Sequence, residues 1–128
     1  MINYNLKQLK SQFKNNEPFE HISLDNFFDE DMLEKVYQEF PSQNSPLFHW
    51  KSNDENSNKL MCQNSKVIEK NLPAIDKFIK YLNSDEFLSQ VSDLTGIPNL
   101  IGDNELAGGG LHQIVNGGFL NVHADFNI

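Results

Sequence analysis

The chain has 128 residues, which is room for one modest domain around a single core. At 38% hydrophobic and 22% charged, with ten Phe and one Trp, it is neither collagen-like nor a disulfide-stapled scaffold. Eighteen acidic residues against ten basic ones, all lysine, give a formal charge of -8, which argues against nucleic acid as a partner.

A lone cysteine, Cys62, excludes an internal disulfide and points to a reducing compartment, so a cytoplasmic location is expected. The opening residues Met1 to Lys7 lack the charged leader and apolar run of a signal peptide. No stretch approaches the roughly 18 apolar residues of a membrane span, so no membrane partner is expected.

In chain order, Leu6, Leu9 and Phe13 fall on one face of a first helix. A short extended stretch is expected from Phe19 to Leu24, after Pro18. Asp29 caps a second helix, in which Met32, Leu33, Val36, Tyr37 and Phe40 form one apolar stripe ended by Pro41. The acidic run Asp29-Glu30-Asp31 reads as a solvated helix start. Residues 41–59 are polar around a Leu47-Phe48-His49-Trp50 island and read as a long loop. A third helix follows Asn71, with Pro73 in its first turn and Ile75, Phe78, Ile79 and Leu82 inward. Ser84 caps a fourth, with Phe87, Leu88, Val91 and Leu94 as its buried face and Gly96 as its left-handed end.

Beyond Pro98 the grammar changes. Leu111 to Val115 reads as a strand, Asn116-Gly117-Gly118 as a tight turn, and Phe119 to Phe126 as the returning strand of a hairpin. On that second strand, His123 and Asp125 stand at i and i+2 and so share a face, roughly 7 Å apart at Cβ. An imidazole and a carboxylate so placed can take two corners of one metal ion, as in the facial triad of non-haem iron enzymes. The triplet alone is weak evidence, since this composition supplies about 0.3 of them by chance. His21, His49 and His112 read as structural or loop residues.

The context is more specific. The run from Gly108-Gly109-Gly110-Leu111-His112 through Asn116-Gly117-Gly118-Phe119-Leu120 to Val122-His123-Ala124-Asp125-Phe126 resembles the entry to the metal site of the 2-oxoglutarate/Fe(II)-dependent dioxygenases, in their prolyl 4-hydroxylase-like branch. Pro18 to Phe28 and Leu94-Thr95-Gly96-Ile97 look like that branch's helical lead-in. The resemblance implies an α+β fold, with a helical support layer over residues 1–97. Residues 98–128 would open a double-stranded β-helix (jelly-roll) core, the whole being one incomplete domain.

It further implies metal ligation by His123 and Asp125, Fe(II) and 2-oxoglutarate as cofactors with ascorbate as a further one, and hydroxylation of a peptidyl or small-molecule C–H bond. The family's distal His and the Arg that binds 2-oxoglutarate would lie beyond residue 128, so this stretch alone is expected to be inactive. Ile114 stands where many prolyl hydroxylases carry Tyr. An incomplete sheet would leave an edge open to self-association. A reading from another class is a non-catalytic interaction or scaffold module of helices plus a β-hairpin. A cupin-type metal protein is a third, and the chain lacks its His-rich ligand spacing.

Overall fold

Short polar side chains set the helix starts. The first helix is α1 (Lys10–Asn15), and Asp29 Oδ1 accepts from Met32 N at 2.9 Å to open α2 (Glu30–Glu39). Asn64 Oδ1 does the same for Val67 N at 3.1 Å in α3 (Ser65–Asn71), and Ser84 Oγ for Phe87 N at 3.3 Å in α5 (Asp85–Thr95). The remaining helix, α4 (Pro73–Leu82), has no side-chain cap of its own and starts on proline. Its Ile75 N donates instead to Glu39 Oε2 of α2 at 2.8 Å, so one helix caps another. The structure is a computed structural model describing residues 1–50 and 58–123, with the backbone alone at Trp50.

A single 3-10 turn, Leu6–Leu9, precedes α1 and buries Leu6. Lys10 and Lys14 reach from α1 to Gly96, the left-handed residue (φ 79°) that ends α5. Their charge thus lies at the negative end of α5, whose own last turn has no base. The first residues also clamp the entry to α2: Asn3 N donates to Phe27 O at 2.9 Å and Asp29 N to Met1 O at 3.1 Å.

The strands β1 (His49–Trp50), β2 (Lys59–Cys62) and β3 (Leu111–Ile114) form one antiparallel sheet in the order β1-β2-β3. Leu60 sits opposite Gln113 and Cys62 opposite Leu111. Alternation sends Leu60 and Cys62 inward, where they meet Phe48, Ile68, Leu72, Ile75, Leu106 and Leu111 in the main core. A second cluster is aromatic. Phe28 lies 5.0 Å from Phe78 and 6.4 Å from Phe87, and Phe87 is 5.4 Å from Tyr81.

The connection from α5 into β3 is tied down by side chains rather than by regular structure. Asp103 N donates to Asn83 Oδ1 at 2.6 Å, and the Asp103 carboxylate accepts from Ala107 N at 3.0 Å and Gly108 N at 2.8 Å. Gln63 Nε2 donates to Gly109 O at 3.0 Å. Gly110 follows at φ 131°, and a Cβ there would stand 2.7 Å from Cys62 O. Glycine is required by both conformation and space.

These elements correct the expected fold. The double-stranded β-helix needs eight strands in two sheets, whereas the described residues form one three-stranded sheet against helices. Nor does the expected hairpin form as drawn. The turn is present, with Gly118 N donating to Val115 O at 2.9 Å and Gly117 at φ 82°, yet residues 119–123 are not a strand. The partner of β3 is β2, some fifty residues earlier, because Leu60 and Cys62 supply the inward pair that Leu111 packs against. The expected loop over 41–59 contains β1 and the start of β2, and Phe48 anchors it in the core. The expected extended stretch from Phe19 to Leu24 pairs with nothing regular.

Candidate functional site

Among the described residues no group of three or more His, Cys, Asp or Glu is placed to hold a metal ion. His123 is exposed, and its Nδ1 lies 2.7 Å from Asn121 O. Asp125 lies outside the described residues. His112 is on β3 opposite Met61, and His21 packs its ring 5.1 Å from Phe19 with Nδ1 2.8 Å from Phe19 O. Cys62 is buried in the core. With neither the β-helix scaffold nor a ligand cluster, the oxygenase reading is overturned, and with it the enzyme assignment and the cofactors Fe(II), 2-oxoglutarate and ascorbate.

The described surface has a different feature that stands out, on α2. The five apolar residues expected to form a single stripe divide into two flanks. Met32 and Val36 turn inward, Val36 against the main core, with Glu39 beside them on the cap of α4. Leu33 (39% exposed), Tyr37 (73%) and Phe40 (38%) face out. The division follows from helix geometry. At about 100° per residue, Leu33 lies about 100° round from Met32 and Tyr37 about 100° round from Val36, so the outer pair is turned away from the neighbour that the inner pair meets. Phe40 ends the helix with its ring 6.0 Å from that of Phe48, which fixes the lower edge of the outer flank to the core.

Acids border this flank. Continuing round the helix, Glu30 and Glu34 come next after Leu33 and Tyr37, both exposed, and Glu34 accepts from Gln38 Nε2 at 2.7 Å. Lys35 is on the other side, on a separate groove of about 370 Å³ with Met32, Ala74 and Lys77. The outer flank is therefore an apolar strip with a carboxylate margin. Its side chains offer apolar contact from Leu33, Tyr37 and Phe40 and negative charge from Glu30 and Glu34.

The sequence contained this signal in part. A five-residue apolar set within nine positions is wider than one contact can cover, and the acids at positions 30 and 34 mark where it stops. What was missing is which flank α4 would take.

Other polar features lie elsewhere on the described surface. An open hollow of about 470 Å³ is lined by His49, Gln63, Asn64, Ser65, Lys66 and Glu105. Lys80 bonds Asp76 and Glu69, each at 2.9 Å, and these carboxylates raise its pKa, Asp76 most. The Glu69 pair ties α3 to α4 and the Asp76 pair lies within α4, both at an exposed edge, where such contacts stabilise little. The Gly108 and Ala107 amides hold the Asp103 carboxyl below the usual carboxylate range. Burial among aromatic rings, with the Glu86 charge adding, raises the Tyr81 phenol, whose hydroxyl is buried without a hydrogen-bond partner among the described residues.

Among the described residues no helix is long and apolar enough to cross a membrane. No protein-family model matches the sequence, no curated protein is similar to it, and no solved structure matches its fold.

Proposed function

We propose that this chain is a non-catalytic interaction module, a helical body with a small sheet that presents the outer flank of α2 to a partner polypeptide. The observation that carries the reading is the exposure of Leu33, Tyr37 and Phe40 together on one flank of a helix whose other flank is fixed to the core. Scattered apolar residues on a surface need no explanation, whereas a contiguous strip on a rigid element is the usual form of a binding surface. Tyrosine at its centre fits, because a large two-torsion side chain gains contact area at low entropic cost. A polypeptide suits the charge, since a chain at -8 repels phosphate backbones. The reading places the module in the cytoplasm, a reducing compartment compatible with its lone, buried thiol.

The test is selection of binders from a random displayed-peptide library on the intact chain. Binders are expected to lose affinity for a Leu33→Ala/Tyr37→Ala double variant and to keep it for Ile101→Ala, an exposed apolar control elsewhere. Binders indifferent to the double variant, or none at all, would contradict the reading.

A further inference from the structure

The charge of this chain is concentrated in one region, and that concentration defines what α2 can receive. Residues 17–40 contain eight acids and one lysine, while the other residues contain ten acids and nine lysines, so nearly all of the net charge of -8 belongs to this segment. Several of these carboxylates already have work within the fold. Glu20 pairs with Lys14 at 2.7 Å, Asp29 caps α2, and Glu39 caps α4. Glu30 and Glu34 are different. They are exposed, and among the described residues no ion pair neutralises either one. Both lie along the strip of Leu33 and Tyr37, and the nearest base in sequence, Lys35, points to the other flank.

We infer that the occupant of the outer α2 flank is a cationic amphipathic helix, whose apolar stripe covers Leu33, Tyr37 and Phe40 while lysines or arginines on its margin meet Glu30 and Glu34. This rests on the interaction-module reading and adds the chemistry of the partner. An apolar strip on a helix is matched by apolar residues at i, i+3, i+4 and i+7 on another helix. The one-sided carboxylate margin then selects among such helices. An acidic or neutral amphipathic helix would meet like charge or leave the margin without partners, whereas a cationic one gains attraction on approach and in the complex. Attraction of this kind between exposed groups is screened by salt, so the association must weaken as ionic strength rises.

The experiment uses three labelled probe peptides of about five helical turns. One is an amphipathic Lys/Leu helix, one has the same pattern in Glu and Leu, and one has the lysines of the first with serine at every apolar position. Each is titrated against the intact chain by fluorescence anisotropy at low and high salt. The Lys/Leu peptide is expected to bind, to weaken at high salt, and to lose about tenfold or more in affinity to Tyr37→Ala, the central anchor. Leu33→Ser serves as a second apolar variant, and Glu30→Gln/Glu34→Gln is expected to remove most of the salt dependence. Far-UV circular dichroism and melting establish that each variant is folded. Equal binding of the Glu/Leu peptide overturns the inference, as does equal binding of the Lys/Ser peptide, which would mean charge alone. Affinity unchanged in both Tyr37→Ala and Leu33→Ser overturns it too, and so does sedimentation showing that a second copy of the chain occupies the flank. Library binders that need Leu33 and Tyr37 but are acidic or neutral would leave the interaction module standing and refute only its cationic partner.

Discussion

Helices α2 and α4 are each ten residues long and both carry apolar residues at helical spacing, yet they end in opposite situations. Helix α4 is covered from two sides: Ile75 is 1% exposed in the main core, and Phe78 and Tyr81 enter the aromatic cluster. Helix α2 has no fully buried residue and leaves Tyr37 mostly exposed, with Leu33 and the C-cap Phe40 each more than a third exposed. Periodicity therefore reports that a helix has an apolar face and is silent on how much of that face the domain itself will cover. The excess is where function is to be sought.

Substitutions on the two helices should separate core from surface. The largest effect belongs to Ile75→Ala, which opens a cavity in the core and should cost about 3 kcal/mol in denaturant unfolding. A loss as small as that of a surface change would mean α4 is not the covered helix. Next comes Glu39→Ala, which removes the bond from Ile75 N and leaves the start of α4 without a cap. A cost of about 1 to 2 kcal/mol is expected, and it would show that the two helices are mechanically joined.

Smaller and pH-dependent is the contribution of the Asp103 carboxylate, which accepts from the Ala107 and Gly108 amides in the connection into β3. These amides hold its pKa below the ordinary range, Gly108 most. The charged form is thus favoured in the folded state, so the stabilisation is present above the unfolded-state pKa and is lost as pH falls through the folded-state value. Melting of Asp103→Asn should lie below that of the native chain at neutral pH and converge with it in acid. A gap that is constant with pH would contradict this. The smallest stability effect is expected for Tyr37→Ala, within about 0.5 kcal/mol, because its ring is mostly in solvent. A cost comparable to that of Ile75→Ala would mean the outer flank of α2 is covered within the domain.

The sequence was informative wherever structure depends on neighbouring residues. The Asp29 and Ser84 caps, Pro73 at the start of α4, the left-handed Gly96 and the turn at Gly117 all stand as read. It was uninformative where structure depends on distant contacts. β2 was hidden because Lys59-Leu60-Met61-Cys62 is too short for alternation to register, and its partner lies some fifty residues away. Helix α3 was missed for a similar reason: seven residues with one buried side chain, Ile68, present almost no period. Of the candidate metal pair, His123 is exposed at the end of a segment with no regular pairing, and Asp125 lies outside the described residues. The glycine-rich approach that suggested an oxygenase has a local cause at Gly110 and Gly117: a close approach to Cys62 O and a tight turn.

The claim that α2 has an inner flank for the fold and an outer flank for a partner is tested most directly by amide chemical-shift mapping of the intact chain as the Lys/Leu peptide is added. The account predicts that the perturbed residues centre on Leu33, Tyr37 and Phe40 with Glu30 and Glu34 at their margin, while Ile75 and Leu111 stay unmoved. Perturbations centred elsewhere, with the α2 amides unchanged, would contradict it.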